Sequence, residues 1–166
     1  MAILLVGKTN CPICGKVIEK MEEVIGFPHI IVNEKDPLYA LSDSSCHVAC
    51  VNADPLGREM LAAADEYFES AGPGKRACVV CGNQVLNPDD YFLILHLGNP
   101  PTSQLAKFNY THLHRSHIHD WKQADEFLVL ARTAVDAGQW GGNVLARIIS
   151  EIEELRRKAQ PPSAVT

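Results

Sequence analysis

One spacing, used twice, constrains this chain more than any other feature. Cys11 and Cys14 frame a CPIC knuckle, 32 residues intervene, and His47 and Cys50 follow as HVAC. Cys78 and Cys81 frame a CVVC knuckle, 32 residues intervene again, and His114 and His117 follow as HRSH. The pattern C-x2-C-x32-H-x2-[C/H] therefore repeats with a period of 67 residues. Each copy brings four soft or borderline ligands, the number that closes a tetrahedral zinc site. The expected cofactor is Zn²⁺, two per chain, held by Cys11, Cys14, His47 and Cys50 and by Cys78, Cys81, His114 and His117. Within each second pair the ligands stand at i and i+3, so one helical face can present both.

One residue competes for these places. Cys46 and Cys50 stand at i and i+4, also a workable pair, but the residue matching Cys46 in the second copy is Leu113. That points to an apolar slot and favours His47. In the run THLHRSHIH, His112 and His119 are seven residues apart, two turns, and too far to share an ion. They are expected to be surface or supporting groups. His29 and His96, matched by the repeat, are expected to be half-buried structural histidines.

Six cysteines in a short chain can also mean a secreted disulfide framework. The sequence argues otherwise: five of the six fit the metal pattern, and MAILLVGKTN has neither a basic start nor a cleavage pattern. Reduced thiols imply a cytoplasmic protein. No stretch approaches 18 apolar residues, so no membrane span is expected. With 166 residues and 46% hydrophobic content a core can form, but two small units would each be thin without a metal staple. The net charge of −5 disfavours tracking a phosphate backbone and suits a basic partner.

Along the chain, Ile3–Val6 reads as a strand. Gly7-Lys8-Thr9 superficially matches the end of a phosphate-binding loop, but the required upstream Gly is Ala2, and Gly74-Lys75 repeats the pair before the second knuckle. FPHIIV (27–32) and YFLILHL (91–97) read as strands, with Val17-Ile18 and Val85-Leu86 as their hairpin partners. Ser44 and Thr111 read as helix N-caps, which places the second ligand pairs in a first helical turn. Asp54-Pro55 opens a helix over 56–70, with Met60, Ala64 and Phe68 on one face. A second helix is expected over 121–137. The last, over 143–159, carries the stripe Leu145, Ile148, Ile149, Ile152 and Leu155. Glu153 with Arg157 and Glu154 with Lys158 are ordered as favourable i, i+4 pairs, and a frayed tail starts at Gln160. Breaks at Ala71–Gly74 and Gly138–Gly142 divide the chain into 1–71, 74–137 and 142–160.

Knuckle, hairpin and a helix that donates two ligands resemble the treble-clef zinc finger. The chain resembles two such fingers in tandem over about residues 7–50 and 74–117, which implies an α+β fold with helical extensions and a C-terminal amphipathic helix. The first copy also resembles small uncharacterised bacterial proteins with a CPxCG knuckle and a downstream HxxC. Treble clefs serve many functions, so the resemblance implies the fold and two zinc ions but no activity.

With four ligands each, both sites are expected to be closed and structural, without the open position that metal-assisted catalysis needs. The favoured function is a non-enzymatic protein-interaction module, of adaptor, accessory or immunity type, with a protein partner that suits the acidic charge. The C-terminal stripe is expected to pack on the body of the protein, a homodimer seam being the other use for it. Nucleic-acid binding is the first alternative. It is disfavoured because no basic stripe with interleaved aromatics appears, although Lys8, Lys16, Lys20, Lys75, Arg76, Lys107 and Arg115 can gather near the knuckles. An HNH-type nuclease built on His96, Asn99, Asn109, His112 and His119 is the second. It is disfavoured because the second site's own ligands occupy the place of its catalytic ion.

Overall fold

The computed structural model describes residues 4–72, 74–99 and 103–159, and it builds one small ladder twice. In the first copy β1 (Val24–Gly26) pairs antiparallel with β2 (Ser45–His47), with Val24 opposite His47 and Ile25 opposite Cys46. In the second, β3 (Tyr91–Ile94) pairs with β4 (Thr111–His114), with Tyr91 opposite His114 and Phe92 opposite Leu113. Every pair of the first ladder recurs 67 residues later, so the period seen in the ligands also sets the register. The fold is α+β, and the chain divides into two compact units, Met1–Ser70 and Ala71–Thr166.

The strands differ from the sequence expectation in partner and, in the first copy, also in place; β3 falls within the expected run 91–97. Residues 4–6 form no strand; they enter a turn closed by amides of Lys8 and Thr9 on the Leu5 carbonyl, and Ile3 lies outside the described residues. Val17 bridges Asn10, and Gln84 bridges Ala77, so each knuckle pairs with its own flank rather than with the apolar run after it. The run 27–32 is buried but is not a ladder strand. Pro28 has no amide to give, and the amides of Ile30 and Ile31 donate to the Ser42 hydroxyl at 3.1 Å each. Burial of Phe27, Ile30, Ile31 and Val32 produced the strand-like composition.

Helices follow the ladders. In the N-terminal unit β2 runs into α1 (Val48–Ala53), and α2 (Pro55–Ala71) begins at the expected proline. Met60 and Ala64 face the core with Ala63, but Phe68 is 58% exposed, which corrects its placement on that face. In the C-terminal unit the residues matching α1 form a 3-10 helix, Arg115–Asp120, and α3 (Ala124–Asp136) follows. Phe108, Trp121 and Phe127 pack with their ring centroids 5.3 to 5.9 Å apart, partly edge-on, as aromatic quadrupoles prefer. The chain leaves α3 through Gly138 (φ 64°), whose amide reaches the Val135 carbonyl while that of Gln139 reaches Ala134. That is the Schellman pattern.

The last helix, α4 (Val144–Ala159), has no counterpart in the first unit. It buries Leu145, Ile148 and Ile152 within the C-terminal unit and runs antiparallel to α3. Its Arg156 meets Asp125 at 2.6 Å, Glu153 pairs with Arg132, and Glu151 pairs with Arg115. The Glu154–Lys158 pair forms as expected at 2.7 Å, whereas Glu153 turns to α3 instead of Arg157. The tail from Gln160 lies outside the described residues.

Candidate metal centres

Each knuckle is a tight turn that ends on a glycine. The Gly15 amide donates to the Cys11 carbonyl at 2.8 Å, and the Cys11 amide to that of Lys16 at 2.9 Å. Gly82 with Cys78, and Cys78 with Asn83, repeat both bonds at the same lengths. Closing the turn takes a positive φ, 73° at Gly15 and 76° at Gly82, where any side chain would be strained.

The second pair in each site enters from the ladder and not from within a helix. Ser44 and Thr111 are not helix caps. Their hydroxyls donate backwards, to the carbonyls of Leu41 (2.7 Å) and Phe108 (2.9 Å). His47 is the last residue of β2 and stands at the N-cap of α1; Cys50 then lies in the first turn. His114 ends β4 and precedes the 3-10 helix that carries His117. The i, i+3 argument keeps its result but is met by a strand end and the turn beyond it.

The eight side chains converge as two groups. Cys11, Cys14, His47 and Cys50 place their ligand atoms within 4.8 Å of one another, as do Cys78, Cys81, His114 and His117. Each group can hold a metal ion. All three histidines present Nδ1 to sulfur. His47 Nδ1 lies 3.5 Å from Cys14 Sγ and 3.8 Å from Cys50 Sγ. His114 Nδ1 lies 3.6 Å from Cys81 Sγ, and His117 Nδ1 3.8 Å from Cys78 Sγ. In each group the first cysteine is buried and the second exposed.

Electrostatics prepare one thiolate per group. Burial works against the Cys11 thiolate, but the backbone amides of Cys14, His47 and Ile13 and the His47 ring outweigh it and bring the thiol down to about 6. Burial likewise opposes the Cys78 thiolate, and the amides of His114, Cys81 and Val80 with the His117 ring bring it to about 6. Cys50 moves the other way, to about 11, chiefly through its hydrogen bond with Cys14, with burial and the Cys11 charge adding to the effect. Crowded thiols cannot all ionise unless a cation joins them. Cys46 is fully buried on the core side of β2, and burial pushes its thiol up to about 11. It stands outside the four-atom group, in the slot Leu113 fills in the second unit.

The other histidines do not assemble into a third centre. His112 is buried and its Nδ1 lies 2.8 Å from the Tyr91 hydroxyl. His119 is half-exposed beside Asp120 at 3.2 Å. His96 is buried and has Asn109 and Tyr110 each 3.4 Å from Nδ1, whereas its repeat mate His29 is exposed. Among the described residues, the only groups with metal-ligand convergence are the two above.

Supporting residues escaped the sequence argument. Ser42 and Asn109 stand 67 apart and do one job: Ser42 Oγ accepts the Ile30 amide, and Asn109 Oδ1 accepts the matching Leu97 amide at 2.7 Å. Asp43 and Tyr110, also 67 apart, take φ of 54° and 55°, an uncommon conformation for either residue. The chain therefore makes the same left-handed step before each ligand strand. The signal was present as short polar residues at one repeat position, hidden in loops otherwise unlike. Comparison with protein families, curated proteins and solved structures finds no match to this chain.

Proposed function

We propose that each group holds one Zn²⁺ closed by four protein ligands, in a treble-clef arrangement, and that the chain is a non-enzymatic protein-interaction module. The observation that carries the metal reading is the spacing of the ligand atoms. Bonds of about 2.3 Å to sulfur and 2.0–2.1 Å to nitrogen, at tetrahedral angles, set sulfur–nitrogen edges of about 3.5–3.6 Å. The four short separations run from 3.5 to 3.8 Å. Soft thiolates with imidazole select zinc over the hard cations. A bound ion would stabilise the small N-terminal unit, whose ladder has only three residue pairs.

The interaction reading rests on chemistry the chain offers and chemistry it does not use. Four protein ligands leave no position for a reacting water. The net charge of −5 suits a partner with a basic surface, and protein is a better fit than nucleic acid. The test is metal analysis of the purified chain, followed by isolation of its complex from the native host. Two tightly held zinc ions and a stoichiometric protein complex that persists at high salt are expected. Fewer than two ions would overturn the closed-site reading. DNA binding at low salt that disappears with added salt, without a protein complex, would replace the interaction reading with nucleic-acid binding.

A further inference from the structure

The two units share one 67-residue register through the end of α3, but only the second has α4. The positions that receive α4 can be followed 67 residues back into the first unit. Arg115, which pairs with Glu151, corresponds to Val48; Asp125, which pairs with Arg156, corresponds to Arg58; Arg132, which pairs with Glu153, corresponds to Asp65. Val48 is 41% exposed and Arg58 and Asp65 are exposed, Arg58 donating to the Asn52 and Ala53 carbonyls at the end of α1. The pocket of the first Cys/His group, about 590 Å³, lies beside Val48 and is lined by Cys14, His47 and Cys50 of that group together with Lys16, Glu23, Ala49 and Asn52. The second unit uses the equivalent positions differently: Asp90, matching Glu23, takes the Ser116 amide at 2.9 Å and its hydroxyl at 3.1 Å, where the first unit has Ala49.

We propose that this face of the N-terminal unit docks an amphipathic helix supplied by a partner protein, lying on α1 and α2 as α4 lies on the 3-10 helix and α3. The inference rests on the interaction-module reading and names the surface and the chemistry of the partner. Two of the three charged positions change sign between the units, and the third becomes apolar. The incoming helix therefore carries an apolar stripe like that of Leu145, Ile148 and Ile152, a basic residue over Asp65, an acidic residue over Arg58 and an aliphatic side chain over Val48. The same signs exclude α4 of a second copy: its Glu153 would face Asp65 and its Arg156 would face Arg58. Like charges at both positions are a repulsive element that steers this surface away from self-association.

Two labelled 16-residue peptides test this against the full, zinc-loaded chain by fluorescence anisotropy. One has the sequence of α4; the other has it with Glu151→Leu, Glu153→Lys and Arg156→Glu. The altered peptide is expected to bind about tenfold tighter, the scale of two rim charge pairs and one apolar contact. Asp65→Lys in the chain should remove most of that preference, and Val48→Asp should abolish binding. Both changed positions are exposed, and unchanged zinc content and helical circular dichroism would show the variants folded. Absence of saturable binding, equal binding of the two peptides, or binding indifferent to both Val48→Asp and Asp65→Lys would overturn the proposal. A host protein complex unaffected by Val48→Asp would discard this docking face and leave the module reading standing; the lack of any complex would discard both.

Discussion

In the N-terminal unit the ligand segment continues into a six-residue α-helix, and Gly57 of α2 lies against it. In the C-terminal unit the same six positions wind as a 3-10 helix, and Ala124 takes the place of Gly57. A Cβ on Gly57 would come within 2.5 Å of the Val51 carbonyl oxygen, whereas the Ala124 methyl is accommodated and buried. Below the helices the two units agree in knuckle, register, ligand entry and the amide held by Ser42 or Asn109. Above them they diverge: the second unit packs an aromatic trio under α3 and closes with α4. The Cys/His groups fix a few closely placed positions, and what lies beyond them is left to ordinary packing.

The hardest test of this comparison is to remove one ion at a time. On the proposed reading, Cys11→Ser and Cys78→Ser would each remove a ligand from a zinc site of a kind worth on the order of 10 kcal/mol in small fingers. The expected outcome is one zinc ion per chain in either variant, by elemental analysis. Hydrogen exchange should then show the whole N-terminal unit unprotected in the first variant. In the second, α3 and α4 should retain partial protection around Phe127, Leu145 and Ile148. Equal loss in both would mean that α4 confers no independence.

Acid should affect the two sites together. Cys11 and Cys78 are lowered from 9.0 to about 6 in the folded chain. A lowered thiol contributes stability above its unfolded value and loses it as pH falls through the folded one. Protons then compete with metal, so both ions should be released over one window below about pH 6, followed with a chromophoric chelator. Two windows a full unit apart would break the equivalence of the sites.

Smaller effects probe the packing difference. Gly57→Ala should destabilise the N-terminal unit by about 1–3 kcal/mol through the clash with Val51. The reverse change, Ala124→Gly, should cost about 1 kcal/mol from helix propensity. Denaturant unfolding monitored separately in each unit compares them; a neutral Gly57→Ala would mean that α1 and α2 are free to part. Smallest of all, Ser42→Ala should cost about 1–2 kcal/mol by stranding the Ile30 and Ile31 amides. Asn109→Ala should cost a similar amount through Leu97, and exchange of those amides should rise in step.

The ligand pattern was legible because its period is rigid. Identical spacing on both sides of 32 unlike residues has no simple origin other than two equivalent turns meeting two equivalent strand ends. The burial of Met60 and Ala64, and of Leu145, Ile148 and Ile152 on α4, was legible from helical periodicity for the same reason. The first copy's strand was misplaced because composition reports burial before it reports hydrogen bonding, whereas β3 fell within its expected run. FPHIIV is apolar as a core segment must be, but two of its amides are satisfied by one serine hydroxyl, which no propensity encodes.

The sequence by itself therefore determined which eight side chains converge and that they do so as two groups of four, because residue chemistry and spacing are local quantities repeated at a fixed interval. Only the tertiary structure decided where the backbone amides go, which arginine each glutamate of α4 takes, and which face of the N-terminal unit is left bare. Those outcomes depend on which surfaces are already covered, and coverage is a property of the assembled chain.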